Sequence, residues 1–428
     1  MSTSLRPPAR LAPDFSELGV DARLAQVAAF AGLSEQDARQ LAAPSNLDRD
    51  TANHMIENMI ATIAIPVGVA TGLLIDGEER VVPMATEESW IVSAVGASGE
   101  ACRATGGFTT SMSGDCMIAQ VQLLGIADPH AARVAILERR AQVAAACDAC
   151  DPTLVRFGGG FRDLEVRLLG ERDAAMLVVH LIVDCRDAMG ANTVNTIAER
   201  LAPLLAEWTG GRPGLRILSN LADRRLARAR ATWPVEALGG EAVRDAMIAA
   251  ARFADTDPYR AVTHNKGIMN CISAVVLATG NDTRAVEAAA HGYAALGGRI
   301  RALTRWECAA DGALSGSIEL PMPVGIVGGA TKVHPTARAL LAILGVQHAS
   351  ELARIIAAIG LAANFAALKA LSTHGIQKDF MARHAHNFAI GAGATGDEVE
   401  QVAHALIASQ TIGSAEAERV LAALRQAR

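Results

Sequence analysis

From Asp21 to about Thr62 apolar residues recur every three or four positions, the period of helices that bury one face. Ser34, with Gln36 and Asp37 behind it, reads as a helix N-cap. The same rhythm runs from Asp48 to Ile63 and places Glu57 and Asn58 inside a helix, on its solvated edge. The pattern then changes to the alternation of strands: 66–70 and 72–83 flank the turn Asp76-Gly77. An apolar helix is predicted over 91–101. The small-residue run Gly106-Gly107-Phe108-Thr109-Thr110-Ser111 reads as a domain boundary.

Between residues 113 and 218 the predicted order is strand (116–124), helix (129–150), strand (154–168), strand (174–185), helix (195–208), strand (214–218). A hairpin turn at 170–173 joins the middle strands. This β-α-β-β-α-β order is the split βαβ, or ferredoxin-like, arrangement rather than a doubly wound nucleotide fold. Beyond it, helices are expected over 224–231 and 240–254, a strand over 316–320, a glycine loop over 325–332 and helices over 336–371. The most membrane-like stretch, 355–371, carries Asn364 and Lys369 and reads as a buried helix, and residues 1–10 lack the apolar core of a secretory signal.

With 428 residues the chain is long enough for two or three domains. Aromatic residues make up only 4%, which leaves packing to Ala, Leu, Val and Ile. A net charge of −6 with no basic block argues against a nucleic-acid binder. Seven scattered cysteines suit reduced thiols in the cytoplasm. Cys147 and Cys150 form a lone CxxC without a second pair, so two thiols on a helix is the expectation and no metal is assigned.

Candidate chemistry begins with lysine. Only four of the 39 basic residues are Lys, so Lys266, between Asn265 and Gly267, is a candidate for a task Arg performs badly: a compact ammonium aimed at one oxygen. The stretch 257–270 is read as a loop shaped around it, against the ordinary alternative of a solvated surface Lys. Arg260 in the same stretch suits a carboxylate. Glu87 and Glu88, between a strand and an apolar helix, are either acids complementing a helix N-terminus or include one partly buried, protonated donor; both readings stand. The run 187–196 leads from a strand into a helix and suits a pyrophosphate at the helix N-terminus, or an ordinary capped start. Asp151, before Pro152, is positioned for a ribose diol or simply opens a turn. Asp282 is a carboxylate that would orient Lys266. His384 and His386 point apart on a helix and do not make a metal pair. The GxGxxG at 391–396 lacks the strands of a dinucleotide fold.

Together these runs resemble the 3-hydroxy-3-methylglutaryl-coenzyme A reductase family in its short, class II form. MIENMI, Glu87-Glu88, GGFTTS, DAMGANTVNT, DPYRAVTHNKGIMN, TGND and PMPVGIVGGATK stand in the family's order over nearly the whole chain. The resemblance implies an α+β fold: a large helical and β substrate domain (1–112 and 220–374), an inserted ferredoxin-like cofactor domain (113–219) and a C-terminal helical flap (375–428). It also implies a cytoplasmic homodimer with interfacial active sites and no membrane anchor. The implied reaction interconverts the CoA thioester and mevalonate plus CoA in two nicotinamide-dependent reductions, through mevaldyl-CoA and mevaldehyde. Carried over by motif, Glu88 is the general acid, Lys266 the oxyanion donor, Asp282 their partner and His384 the acid for departing CoA thiolate. Arg260, Asn270, Glu57 and Asn58 are assigned to the substrate. Asp151, Asp187, Met189, Gly190, Asn192, Thr193 and Asn195 are assigned to the cofactor. An acid at Asp151 favours NAD(H), while Arg139, Arg140 and Arg156 keep NADP(H) open.

Three departures from the family pattern stand out: Ala61 where a Gly is usual, Ser89-Trp90 in place of Pro-Ser, with the ring expected at the substrate entrance, and His386 in place of an Arg. Two other classes compete with the reductase. One is a CoA-thioester lyase or transferase using Lys266 without hydride transfer; the other is a non-catalytic acyl-CoA binder.

Overall fold

The computed structural model describes residues 11–12, 14–43, 47–170, 176–373, 375–409 and 411–426, with side chains left undescribed over 376–383. Among the described residues the strands are β1 (Val67–Ile75), β2 (Glu78–Ala85), β3 (Thr109–Met112), β4 (Cys116–Leu124), β5 (Gly160–Leu169), β6 (Met176–Asp184), β7 (Arg212–Ser219), β8 (Leu226–Trp233), β9 (Thr304–Cys308) and β10 (Leu314–Pro321).

Strands β1 and β2 form a hairpin about Asp76 and Gly77, both at positive φ, as a two-residue primed turn requires. A second sheet has the order β3-β8-β10-β9, entirely antiparallel. Against these lies the helix Ala349–Ser372, which buries 16 residues. It is long and apolar enough to cross a bilayer, yet 72% of its most apolar window is inside the protein, so it is a core helix. Phe365 on this helix stacks on Trp233 of β8 at 4.4 Å, and Trp306 of β9 packs 5.3 Å from Trp233. Such fully buried side chains each contribute about 1.5–3 kcal/mol by leaving water.

The third sheet has the order β5-β6-β4-β7, with every neighbour pair antiparallel. The chain order is β4, helices, β5, β6, the helix Ala191–Thr209, then β7: the split βαβ expected. One face buries its own core, including Val121, Leu181, Ile197 and Leu201. The expected 170–173 turn lies outside the described residues apart from Gly170. Three C-terminal helices, Ile376–Gly391, Asp397–Ser409 and Ser414–Gln426, enclose a further small core around Ala385, Leu406 and Leu421. The glycine run 391–396 is the link between the first two, with no strand before it.

Four local expectations are corrected. Residues 224–231 are not a helix but the start of β8: Ala227, Ala229 and Ala231 are buried while the intervening Arg228 and Arg230 are not, a period of two that alanine's helix propensity masks. The helix expected to Ile63 stops at Met55, with Asn58 left-handed and Pro66 favouring an extended residue before it; Glu57 and Asn58 are therefore exposed on irregular chain. The helix over 129–150 breaks at Arg139 into Pro129–Glu138 and Arg140–Cys150, and 152–156 is a short helix rather than the start of β5. Finally, Lys266 lies in no loop. It sits midway along the helix Pro258–Ala278, which has Asp257 as N-cap and Pro258 in its first turn.

Candidate functional site

The helix Pro258–Ala278 is clamped from its buried side by the two residues preceding Lys266. Asn265, with no exposed surface, donates to the Arg301 carbonyl at 2.8 Å and accepts from the Leu303 amide at 3.0 Å. His264 contacts the Thr304 hydroxyl at 2.7 Å, and Asn364 accepts from both Thr304 (2.9 Å) and the Trp306 indole (2.8 Å). Burial, reinforced by Arg260, brings the His264 pKa down to about 4. With this face fixed, Lys266, Asn270, Ser273 and Leu277 share the opposite face at helical spacing and line a cavity of about 570 Å³.

Glu88 enters that cavity from the segment between β2 and the helix Ile91–Cys102. Its Oε2 accepts from Asn270 Nδ2 at 2.9 Å and lies 3.9 Å from Lys266 Nζ. The Lys266 side chain is 67% exposed and Glu88 32%, so the pair is a loose, solvent-screened contact with room for a ligand. Across the cavity, Glu287 accepts from Ser273 at 2.6 Å and contacts His291 at 3.2 Å. The bond with His291 is the main cause that lowers the Glu287 carboxyl pKa. Ser273 and Glu287 were not anticipated, though Ser273 lies about two helical turns from Lys266, on the same face.

A second cavity, about 860 Å³, adjoins the first; Ala85, Leu277 and Arg284 line both. Its walls include Met189, Gly190, Asn192 and Thr193, Asn281 and Asp282, and the glycine run 325–330. Gly190 is at φ 99° immediately before the helix Ala191–Thr209, and a Cβ there would strike Cys185 Sγ, so the turn requires glycine. A Cβ on Gly325 would come within 2.5 Å of the Met189 amide nitrogen. Asn281 Oδ1 accepts from the Gly325 amide at 2.7 Å, and the Ile326 amide donates to the Asp187 carbonyl at 2.9 Å. The result is a cleft with mostly apolar walls and, along one side, close-packed backbone at a helix N-terminus, which suits a pyrophosphate-bearing nucleotide.

Several assigned residues are placed less directly. Asp282 accepts from the Arg284 and Ala285 amides and lies 3.3 Å from the Arg284 guanidinium; it forms no ion pair with Lys266 within the single chain. Asn195 accepts from the Leu218 amide and holds β7, and the Asp187 carboxylate accepts from the Ala349 amide. Asp151 caps the helix Pro152–Arg156 through the Leu154 amide. Arg260 is half-buried, and burial lowers its pKa. His384 stands in the C-terminal helical unit beside Asn387 at 3.2 Å, and His386 contacts Glu400 at 3.1 Å. Trp90, at φ 86°, lines a third cavity with Val20, Leu24 and Val92, which shares Ile65, Val67, Thr336 and Leu340 with the second cavity and no residue with the Glu88 cavity. Cys147 is buried, which pushes its thiol up to about 12, and among the described residues no group of three or more His, Cys, Asp or Glu is arranged to hold a metal ion.

Arg225 gave no signal in the sequence. It has no exposed surface, and burial lowers its pKa. Nη1 donates to the carbonyls of Ala188 (3.0 Å) and Met189 (3.2 Å), Nη2 to those of Arg186 (3.2 Å) and Val324 (2.9 Å), with Asp115 at 3.6 Å.

A helix-borne ammonium beside a carboxylate, next to a glycine-lined cleft at a helix N-terminus, is an arrangement suited to the reduction of a carbonyl carbon. The profile of hydroxymethylglutaryl-coenzyme A reductase matches residues 19–385. A 3-hydroxy-3-methylglutaryl-coenzyme A reductase of Archaeoglobus fulgidus is 49% identical over 413 residues, 96% of this chain and 94% of that one. The solved structure of the Streptococcus pneumoniae reductase superposes with a TM-score of 0.82 at 37% identity, covering 96% of this chain and 99% of that chain. A further structure, the class II reductase of S. pneumoniae bound to NADPH in open conformations, gives 0.81 at 37% identity over 84% of this chain and 99% of that one. The chain belongs to the hydroxymethylglutaryl-coenzyme A reductase family. Its reaction is the nicotinamide-dependent reduction of 3-hydroxy-3-methylglutaryl-CoA, through mevaldyl-CoA and mevaldehyde, to mevalonate and CoA.

Proposed function

We propose that the two adjoining cavities divide the reaction between them, with the nicotinamide cofactor on the 187–193 loop and proton chemistry at Glu88 and Lys266. The observation that carries this reading is their shared wall of Ala85, Leu277 and Arg284, which sets the Glu88 carboxylate beside the nucleotide cleft. The cofactor supplies hydride to the thioester carbon and then to the aldehyde carbon. Lys266 Nζ donates to the oxygen that gains charge in each reduction, where a fixed cation stabilises it most. Glu88, held by Asn270, supplies the proton that the reduced oxygen takes up. Asp282, at the junction, orients the ammonium once substrate and partner are bound. His384 protonates the departing CoA thiolate, a task suited to imidazole. Arg260 meets the free carboxylate of the substrate, and the segment around Glu57 and Asn58 borders it.

On this reading residues 113–219 carry the cofactor, 1–112 and 220–374 the substrate, and 375–428 close over both. Two copies of the chain complete the site. Ile60 and Ile63 are 90% and 91% exposed on an apolar segment whose residues 62–65 line the nucleotide cleft, a surface suited to burial against a second copy. The seven described thiols are all free, which suits the cytoplasm.

NADH is the proposed cofactor, with Asp151 facing the ribose. Four guanidinium groups of this region already have partners. Arg139 donates to the Ala135 carbonyl and lies over Trp208, Arg140 bonds Asp163, and Arg162 bonds the Gly158 carbonyl and Asp184. Arg156 lies over Phe157. A 2′-phosphate would have to compete for these groups while meeting Asp151. Steady-state oxidation of NADH and of NADPH with the CoA thioester tests the assignment: an NADPH preference, retained in Asp151→Ala, would remove Asp151 and the NADH reading together.

A further inference from the structure

Resting on the reading that the 187–193 loop receives the cofactor, we infer that Arg225 is a positioning residue that sets the shape of that loop by tying it to the large domain. All four Nη hydrogens are spent on main-chain carbonyls, three in the 186–189 loop (Arg186, Ala188, Met189) and one in the adjoining segment before Gly325 (Val324). The residue stands just before β8, where the chain leaves the third sheet for the second.

Its main chain joins the same arrangement, since the Met322 amide donates to the Arg225 carbonyl at 3.0 Å. The neighbouring links are the Ile326 amide to the Asp187 carbonyl and the parallel bridge between Ala188 and Val327. A cation is a costly way to join two loops: a guanidinium without exposed surface loses its hydration and recovers it only where acceptors match its planar fork. Asp115, 3.6 Å from Nη2, supplies the compensating charge. An apolar side chain would fill the volume but leave four carbonyls unmatched. A lysine has three donors on a flexible stem and cannot hold both loops in one plane. Fixing these carbonyls fixes the turn into the helix Ala191–Thr209, whose first amides have no acceptor within the helix and are the ones offered to a pyrophosphate.

The test uses full-length Arg225→Lys and Asp115→Asn, with Asn192→Ala as a control for the loop assignment. NADH affinity is read by fluorescence titration, KM is measured for NADH and for the CoA thioester separately, and folding is followed by thermal unfolding. Arg225→Lys is expected to weaken NADH binding and raise its KM on the order of tenfold or more, because misplacing binding groups by about an ångström is that costly. KM for the thioester should stay within about twofold. Asp115→Asn should shift the same two quantities in the same direction by a smaller factor, and it decides the matter if Arg225→Lys does not fold. Wild-type NADH affinity in the folded variant, or an equal rise in both KM values, overturns the inference. Asn192→Ala separates the two failures. If it weakens NADH binding while the Arg225 and Asp115 variants do not, the positioning role alone is wrong; if none of the three matters, the loop assignment falls as well.

Discussion

Asn270 Nδ2 donates to Glu88 Oε2 at 2.9 Å, while Lys266, one turn earlier on the same helix, reaches that oxygen only at 3.9 Å. The amide therefore aims the carboxylate and the ammonium stays available for a ligand. Asn270→Ala should leave folding intact, since the residue is only part-buried, and lower kcat on the order of tenfold, the usual worth of a hydrogen bond to a charged group. KM for NADH should hardly change. Steady-state kinetics with each substrate varied in turn gives the answer; a variant with wild-type kcat would show that Glu88 needs no such support.

Lys266→Ala should reduce turnover by about a hundredfold to a thousandfold, the cost of deleting an oxyanion donor. Because the side chain is mostly exposed, thermal stability should be unchanged. Lys266→Arg should not restore activity, as a planar fork cannot occupy the place of a compact ammonium beside Glu88. Borohydride in the presence of mevaldehyde should trap no adduct on the wild-type chain; a stable adduct at Lys266 would replace the charged-donor role with Schiff-base chemistry.

These two residues show how far the pattern of residue types reaches. Glu88, Lys266 and Asn270 are legible because each lies in a long motif, and the hairpin, the split βαβ and the core helix Ala349–Ser372 are legible because their periodicity is strong. Lys266 was expected in a loop over 257–270, yet the segment is helical and tolerates Gly267, where a Cβ would meet nothing within 4 Å. In β8, alanine composition spoke for a helix while the alternation of buried Ala with Arg spoke for a strand, and burial prevailed. Arg225 was not legible at all. It is one of several arginines in a short run, and only the tertiary structure shows that its four partners are backbone carbonyls distant in sequence.

His264 predicts a pH dependence of stability. Its pKa in the fold is about 4, below the ordinary value of 6.5, because burial disfavours the charged ring. The unfolded chain thus binds a proton that the folded chain refuses between those values, so the contribution is fully present above about pH 6.5 and is lost as pH falls towards 4. The full shift corresponds to about 3 kcal/mol as an upper figure. Urea unfolding from pH 4.5 to 8 should show His264→Gln with a shallower loss of stability across this window than wild type, although less stable at pH 8 through its altered bond to Thr304. Parallel pH curves for the two proteins would mean that His264 does not titrate as its burial implies.

The proposed role of His384 separates two halves of the reaction. Reduction of the thioester ends with CoA leaving as a thiolate that needs a proton, whereas reduction of free mevaldehyde releases no thiolate. A general acid contributes about a hundredfold or more to a step that needs it and nothing to one that does not. His384→Gln should therefore cut NADH oxidation with 3-hydroxy-3-methylglutaryl-CoA by about that factor and leave mevaldehyde reduction within about threefold of wild type. The residue stands in the C-terminal helical unit beside Asn387, outside the walls of the Glu88 cavity, so this role also requires the unit to approach that cavity during turnover. Cross-linking the unit in an open position should then reproduce the His384→Gln pattern. Equal loss in the two assays for the substitution would instead assign His384 to structure or to cofactor binding, since either would slow both reductions alike.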